Sequence, residues 1–94
     1  MTALLEARVR AALTTVMDPE MGLSLMELGL IYALEVSPAG SVHVLMTTTT
    51  RGCPLAGILR EMVEAALAGV DGVTAVGVEL TYEPAWTPDM IRSA

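Results

Sequence analysis

Val42-His43-Val44-Leu45-Met46-Thr47-Thr48-Thr49-Thr50-Arg51-Gly52-Cys53-Pro54-Leu55 contains the point at which this chain changes its period. Val42, Val44 and Met46 alternate with His43, Leu45 and Thr47, which is the period of a strand with one face on a core. Beyond Pro54, the apolar residues Leu55, Ile58, Leu59, Met62, Val63, Ala66 and Leu67 recur at helical spacing, with Arg60, Glu61 and Glu64 facing out. A strand therefore runs into a helix through four threonines and Gly52-Cys53-Pro54. Glycine permits a tight turn and close approach of a ligand, and proline is favoured at the first helical position. This places Cys53 at or next to the N-cap of a helix starting near Pro54. The unpaired amides and the dipole of a helix start favour negative charge and lower the pKa of a thiol, and Arg51 adds to that effect. The threonine hydroxyls are available to line the same pocket. In the plainer reading, Cys53 is a small buried hydrophobe and the threonines are strand formers.

Upstream, Thr2 is a suitable N-cap for a first helix. Leu5, Val9, Ala12, Leu13 and Val16 form one apolar stripe, and Glu6 and Arg10 make an i,i+4 pair. This helix is expected to run to about Met17 and to stop before Asp18-Pro19, because a residue preceding proline avoids the α region. Asp18-Pro19-Glu20-Met21-Gly22 is a turn bearing two carboxylates, which are either solvated or available as ligands or as an acid–base pair. Ser24-Leu25-Met26-Glu27 matches a capping box and Gly29 a helix stop, so one short helical turn is expected there. Leu30 to Val36 reads as a first strand, and Ser37-Pro38-Ala39-Gly40 as the turn of an antiparallel hairpin. His43, the single histidine, falls on the strand face opposite the valines, as an exposed or half-exposed residue.

Downstream, Gly69 ends the second helix and Asp71-Gly72 makes a turn. Val73 to Leu80 reads as a third strand, with Val76, Val78 and Leu80 on one side. In Glu83-Pro84-Ala85-Trp86-Thr87-Pro88-Asp89-Met90-Ile91, Thr87 and Pro88 occupy the N-cap and N1 positions of a last turn. Trp86 either pins this tail to the core or covers the Cys53 pocket. The order α-β-β-α-β predicts an α+β fold of two layers, with the helices on one face of a three-stranded mixed sheet. The third strand is expected to run parallel to the second; its pairing partner is left open.

The chain has 94 residues and is read as a single domain, 1–94, of a size that buries roughly two-thirds of its unfolded surface. Apolar residues make up 53%, which excludes a disordered chain, and seven Met with no Phe imply an aliphatic, adaptable core. The formal charge is −6 and every cation is Arg, which argues against nucleic acid and anionic membrane as partners. A single Cys excludes an internal disulfide and fits a reducing compartment. Charges interrupt the apolar run of the N-terminus, and no stretch approaches the ~20 apolar residues of a membrane span. A cytoplasmic protein is therefore expected.

Four landmarks occur together in one order: Asp18-Pro19-Glu20, Glu27-Leu28-Gly29-Leu30-Ile31-Tyr32, the threonine run into Gly52-Cys53-Pro54, and Pro84-Ala85-Trp86-Thr87-Pro88. In order and spacing, over residues 5 to 92, the chain resembles the small metal–sulfur cluster biosynthesis family. That family includes SufT-like and PaaD-like proteins and the N-terminal domain of Mrp-type ATPases. The resemblance implies the α-β-β-α-β fold and a role in assembling or maturing iron–sulfur proteins, as carrier or adaptor. It carries the family's aspartate onto Asp18, its threonines onto Thr48, Thr49 and Thr50, and its cysteine onto Cys53. PaaD-like proteins usually continue into a cysteine-rich tail, whereas this sequence ends at Ala94, which weighs against a full PaaD role. Arg51 is bulkier than the small or polar residue expected beside the glycine, implying a narrower or more cationic pocket.

Cluster irons are usually held by four thiolates, and this chain offers one. The expected cargo is thus an iron–sulfur cluster, held transiently through Cys53 and shared between two subunits of a homodimer or with a partner. The partners implied are the iron–sulfur assembly machinery or client apoproteins. Asp18 is a candidate oxygen ligand or, preferably, a residue that orients a ligand. Two alternatives stand beside this reading: a metal-free protein–protein adaptor with a structural Cys53, and a cysteine-dependent enzyme. The absence of a resolving cysteine, and a single histidine on a strand with no evident link to Cys53, weigh against the enzyme.

Overall fold

Hydrogen bonding and side-chain burial follow the two periods of the sequence closely. The computed structural model describes residues 2–19, 21–49 and 56–91. In chain order these form α1 (Thr2–Leu13), the single turn α2 (Leu25–Leu28), β1 (Ile31–Val36), β2 (Ser41–Met46), α3 (Ala56–Ala68), β3 (Ala75–Leu80) and a 3-10 turn, Pro88–Met90. The sheet order is β1-β2-β3, with β1 antiparallel and β3 parallel to the central β2. The hairpin and the parallel direction of the third strand match expectation. The open partner is β2, with Val42 opposite Val76 and Met46 opposite Leu80.

One face of this mixed sheet carries Val42, Val44 and Met46, all essentially without solvent exposure. Val9, Leu13 and Val16 from the α1 segment and Leu59, Val63 and Leu67 from α3 close over them, and Leu25, Leu28 and Leu30 complete the core. Burying each such side chain contributes about 1.5–3 kcal/mol, an upper bound because the unfolded chain is already partly collapsed. On α3 the buried line is Leu59-Val63-Leu67, at i, i+4, i+8, whereas Ile58 at its flank is 49% exposed. Met62 and Ala66 pack against the core beside this line, so among the described residues of the expected stripe Ile58 alone turns to solvent. Leu55 and the start of this helix near Pro54 lie outside the described residues.

Three boundaries differ from expectation for local reasons. Helix α1 ends at Leu13 rather than near Met17. The hydroxyls of Thr14 and Thr15 donate to the Ala11 and Ala12 carbonyls, and the amides of Thr15 and Val16 reach only three residues back, to Ala12 and Leu13. Threonine hydroxyls that bond the preceding turn in this way compete with helix continuation. Strand β1 begins at Ile31 because the Leu30 amide is taken by the Leu25 carbonyl of α2. Strand β3 begins at Ala75 because the Val73 amide closes the turn on Val70 and the Thr74 amide bonds Gly40. Among the described residues no helix is long and apolar enough to cross a membrane.

Candidate functional site

The single turn α2 is where the separate landmarks meet. Its N-terminus is fixed by the expected capping box: the Glu27 amide donates to Ser24 Oγ, and the Ser24 amide to Glu27 Oε1, each at 3.1 Å. Its C-terminus stops at Gly29, whose φ of 75° is left-handed and suits glycine. Three backbone bonds thread through this turn. The Leu25 amide donates to Val16, the Leu30 amide to Leu25, and the Thr47 amide to Leu30, at 2.9, 3.0 and 2.8 Å. The segment before Asp18 and the beginning of the threonine run are thus joined through α2 by main-chain contacts alone.

Asp18 is buried, at 4% exposure, in a turn that folds back on itself. Its amide donates to the Leu23 carbonyl, its own carbonyl accepts from Gly22, and Met17 bridges Ser24 in antiparallel fashion. The carboxylate Oδ1 accepts the Met21 amide at 3.2 Å. Asp18 is therefore a built-in part of the turn rather than a freely solvated acid. Met17 and Met21 on either side of it are exposed. Glu20 lies outside the described residues.

In the threonine run, Thr47 and Thr48 are buried and Thr49 is half-buried. The Thr48 hydroxyl donates to the Tyr82 hydroxyl at 3.1 Å. Thr50, Arg51 and Cys53 lie outside the described residues, as do the expected N-cap position of Cys53 and the iron-binding role assigned to it. Among the described residues no group of three or more His, Cys, Asp or Glu side chains is placed to hold a metal. His43, as expected, is exposed on the opposite sheet face, with Nε2 3.4 Å from a Glu79 carboxylate oxygen.

Two tail contacts close the same end of the sheet. Trp86 Nε1 donates to the Leu28 carbonyl at 2.6 Å, and the ring packs on the core, which is the anchoring role of the two considered. The Tyr32 hydroxyl donates to the Pro84 carbonyl at 2.8 Å, with the Met90 sulfur 3.6 Å away. Thr87 and Pro88 start the last turn as expected, although the Thr87 side chain makes no capping bond.

Sequence reasoning missed Tyr82. Its signal was the strand register: with Met46 opposite Leu80 in a parallel pair, Thr48 falls opposite Tyr82. The buried Thr48 and the half-buried Tyr82 lie just past the carboxyl ends of the adjacent parallel strands β2 and β3, the end at which open sheets usually bind ligands.

Fold and site together define a small two-layer α+β domain, with a buried aspartate and buried threonines tied to one helical turn. The chain belongs to the iron–sulfur cluster assembly protein family, whose model matches residues 6–80. It is 39% identical over 85 residues to the Fe–S protein maturation auxiliary factor YitW of Bacillus subtilis, covering 90% of this chain and 83% of that protein. It is 42% identical over 76 residues to an iron–sulfur cluster carrier protein of Mycobacterium bovis, covering 81% of this chain but 20% of that longer protein. A crystal structure of a domain of unknown function from Bacillus anthracis superposes with a TM-score of 0.89 at 30% identity, covering 96% of this chain and 86% of that one.

Proposed function

We propose that this protein acts in iron–sulfur cluster assembly and maturation by holding a cluster transiently through Cys53 and passing it to assembly partners or client apoproteins. Family membership and the names of its relatives, a maturation auxiliary factor and a cluster carrier, support the cluster as cargo. The observation that carries the reading further is the main-chain linkage through α2, which joins the buried Asp18 turn to the buried threonines leading to Cys53.

The donor set suits a carrier. With one thiol per chain, the remaining iron sites need a second subunit, a small thiol or the client's own cysteines. Release is then ligand exchange. A client thiolate forms the new iron–sulfur bond as Cys53 leaves as a thiolate, a proton passes from client thiol to Cys53, and no electron is transferred. In this scheme Arg51 offsets the anionic charge of the thiolate. Asp18 orients a ligand, and Thr48, Thr49 and Thr50 supply hydroxyl donors around the cargo. The metal-free adaptor remains the alternative against which this scheme is tested.

Anaerobic reconstitution with iron, sulfide and a small thiol is expected to give visible cluster absorption that depends on added thiol, a dimer or a client. Cys53→Ser, which nearly preserves volume and N-capping, is expected to abolish it with the fold intact. If the wild-type protein takes up no iron under all three conditions while the Cys53→Ser protein still binds its client, the carrier reading is wrong and the adaptor reading stands.

A further inference from the structure

Charge is distributed unevenly between the two long helices and the sheet with its tail. On α1 and α3, Arg8, Arg10 and Arg60 are balanced by Glu6, Glu61 and Glu64. The sheet face away from the helices presents the exposed Glu35 and Glu79, with the exposed His43 3.4 Å from the Glu79 carboxylate, and the tail adds the exposed Glu83 and Asp89, with no Arg or Lys among the described residues of β1, β2, β3 or the tail. A groove of about 700 Å³ lies between the start of β1 and the tail. Ile31, Leu45, Pro84 and Met90 line it with apolar surface, and Glu83 and Asp89 stand beside them. The volume is within the range of specific binding sites. The groove opens beside β1, an edge strand with one strand neighbour. Backbone groups along such an edge are available to an extended chain.

We propose that this groove docks an extended segment of a partner protein in which basic residues, chiefly arginine or lysine, alternate with aliphatic ones. The alternation follows from the site: aliphatic side chains enter the apolar lining, and cationic ones meet Glu83 and Asp89, with Glu79 and Glu35 further along the sheet. Period-two alternation is what an extended chain offers to two such surfaces. A second copy of this chain is a poor occupant, because pairing through this face opposes four carboxylates with four more. Nucleic acid and anionic membrane are repelled by the same charges. The docking surface does not depend on how Cys53 engages a cluster.

The probe is a short capped peptide alternating arginine with leucine and valine, compared with the same peptide carrying glutamate for arginine. Backbone amide shifts of the isotope-labelled full chain report the site, and a titration reports affinity. The arginine peptide is expected to shift Ile31, Tyr32, Leu45 and Met90, to bind at least about tenfold more tightly than the glutamate peptide, and to weaken as salt rises. Glu83→Lys with Asp89→Lys, both at exposed positions that leave the core untouched, is expected to weaken it about tenfold or more. Leu45→Thr, which keeps strand propensity, tests the apolar lining separately and is expected to weaken both peptides. Equal binding of the two peptides, shifts confined to α1 and α3, unchanged affinity after charge reversal, or no binding of the arginine peptide overturns the proposal.

Discussion

Asp18 illustrates how one side chain can be legible in type and illegible in role. Asp-Pro-Glu announces a turn, but whether its carboxylate faces water depends on Leu23, Gly22 and Ser24 folding back over it. Since Oδ1 accepts the Met21 amide, Asp18→Asn keeps an acceptor of the same shape there and is expected to cost less than a change that removes it. Asp18→Ala removes that acceptor from a buried turn and is expected to cost about 1–3 kcal/mol, read by urea denaturation. If Asp18 also faces Cys53, the Asn variant lowers the midpoint of thiol alkylation against pH, because a neighbouring carboxylate opposes thiolate formation. An unchanged midpoint would assign Asp18 to the turn alone. Tyr82 is the opposite case: nothing in its own neighbourhood marks it, and only the parallel register brings its hydroxyl to Thr48.

At the level of elements, the sequence was most legible where one local rule sufficed. Ser24 and Glu27 form their capping box, Gly29 ends the turn, and the hairpin closes around 37–40. It was least legible where neighbours competed for the same backbone groups, as at Thr14 and Thr15, or at Leu30, whose amide goes to α2 before a strand can use it. Helical spacing puts Ile58 on the apolar stripe, but at the edge of that stripe spacing alone does not decide burial, and Ile58 is exposed. Gly29 and Gly22 separate local from tertiary requirements. Both have positive φ, but a Cβ at Gly29 would run into the Met90 carbonyl oxygen, whereas at Gly22 it meets nothing within 4 Å. Gly22→Ala is therefore expected to lose about 1–2 kcal/mol from backbone strain alone, and Gly29→Ala clearly more, by chemical denaturation. Equal losses would mean that the tail does not rest on Gly29.

For the whole molecule, the order of elements predicted the layers, while the choice of β2 as the shared central strand emerged only from the structure. Hydrophobic patterning shows which face of a strand is buried and says little about which strand lies beside it. With neighbours on both sides, β2 amides are expected to exchange with deuterium most slowly, those of β1 and β3 faster, and those of the 84–90 tail fastest of these. Comparable exchange in β2 and the tail would contradict this hierarchy. The uneven charge between the long helices and the sheet with its tail has a further consequence for motion in solution. A body whose sheet and tail carry four exposed carboxylates with no described Arg or Lys beside them, while its two long helices are balanced, has an uneven charge distribution, so a cationic neighbour exerts a torque on it before contact. Tumbling would then be biased: the sheet side turns toward the approaching protein during the encounter, and added electrolyte shortens the range of that alignment without altering a single contact in the final complex.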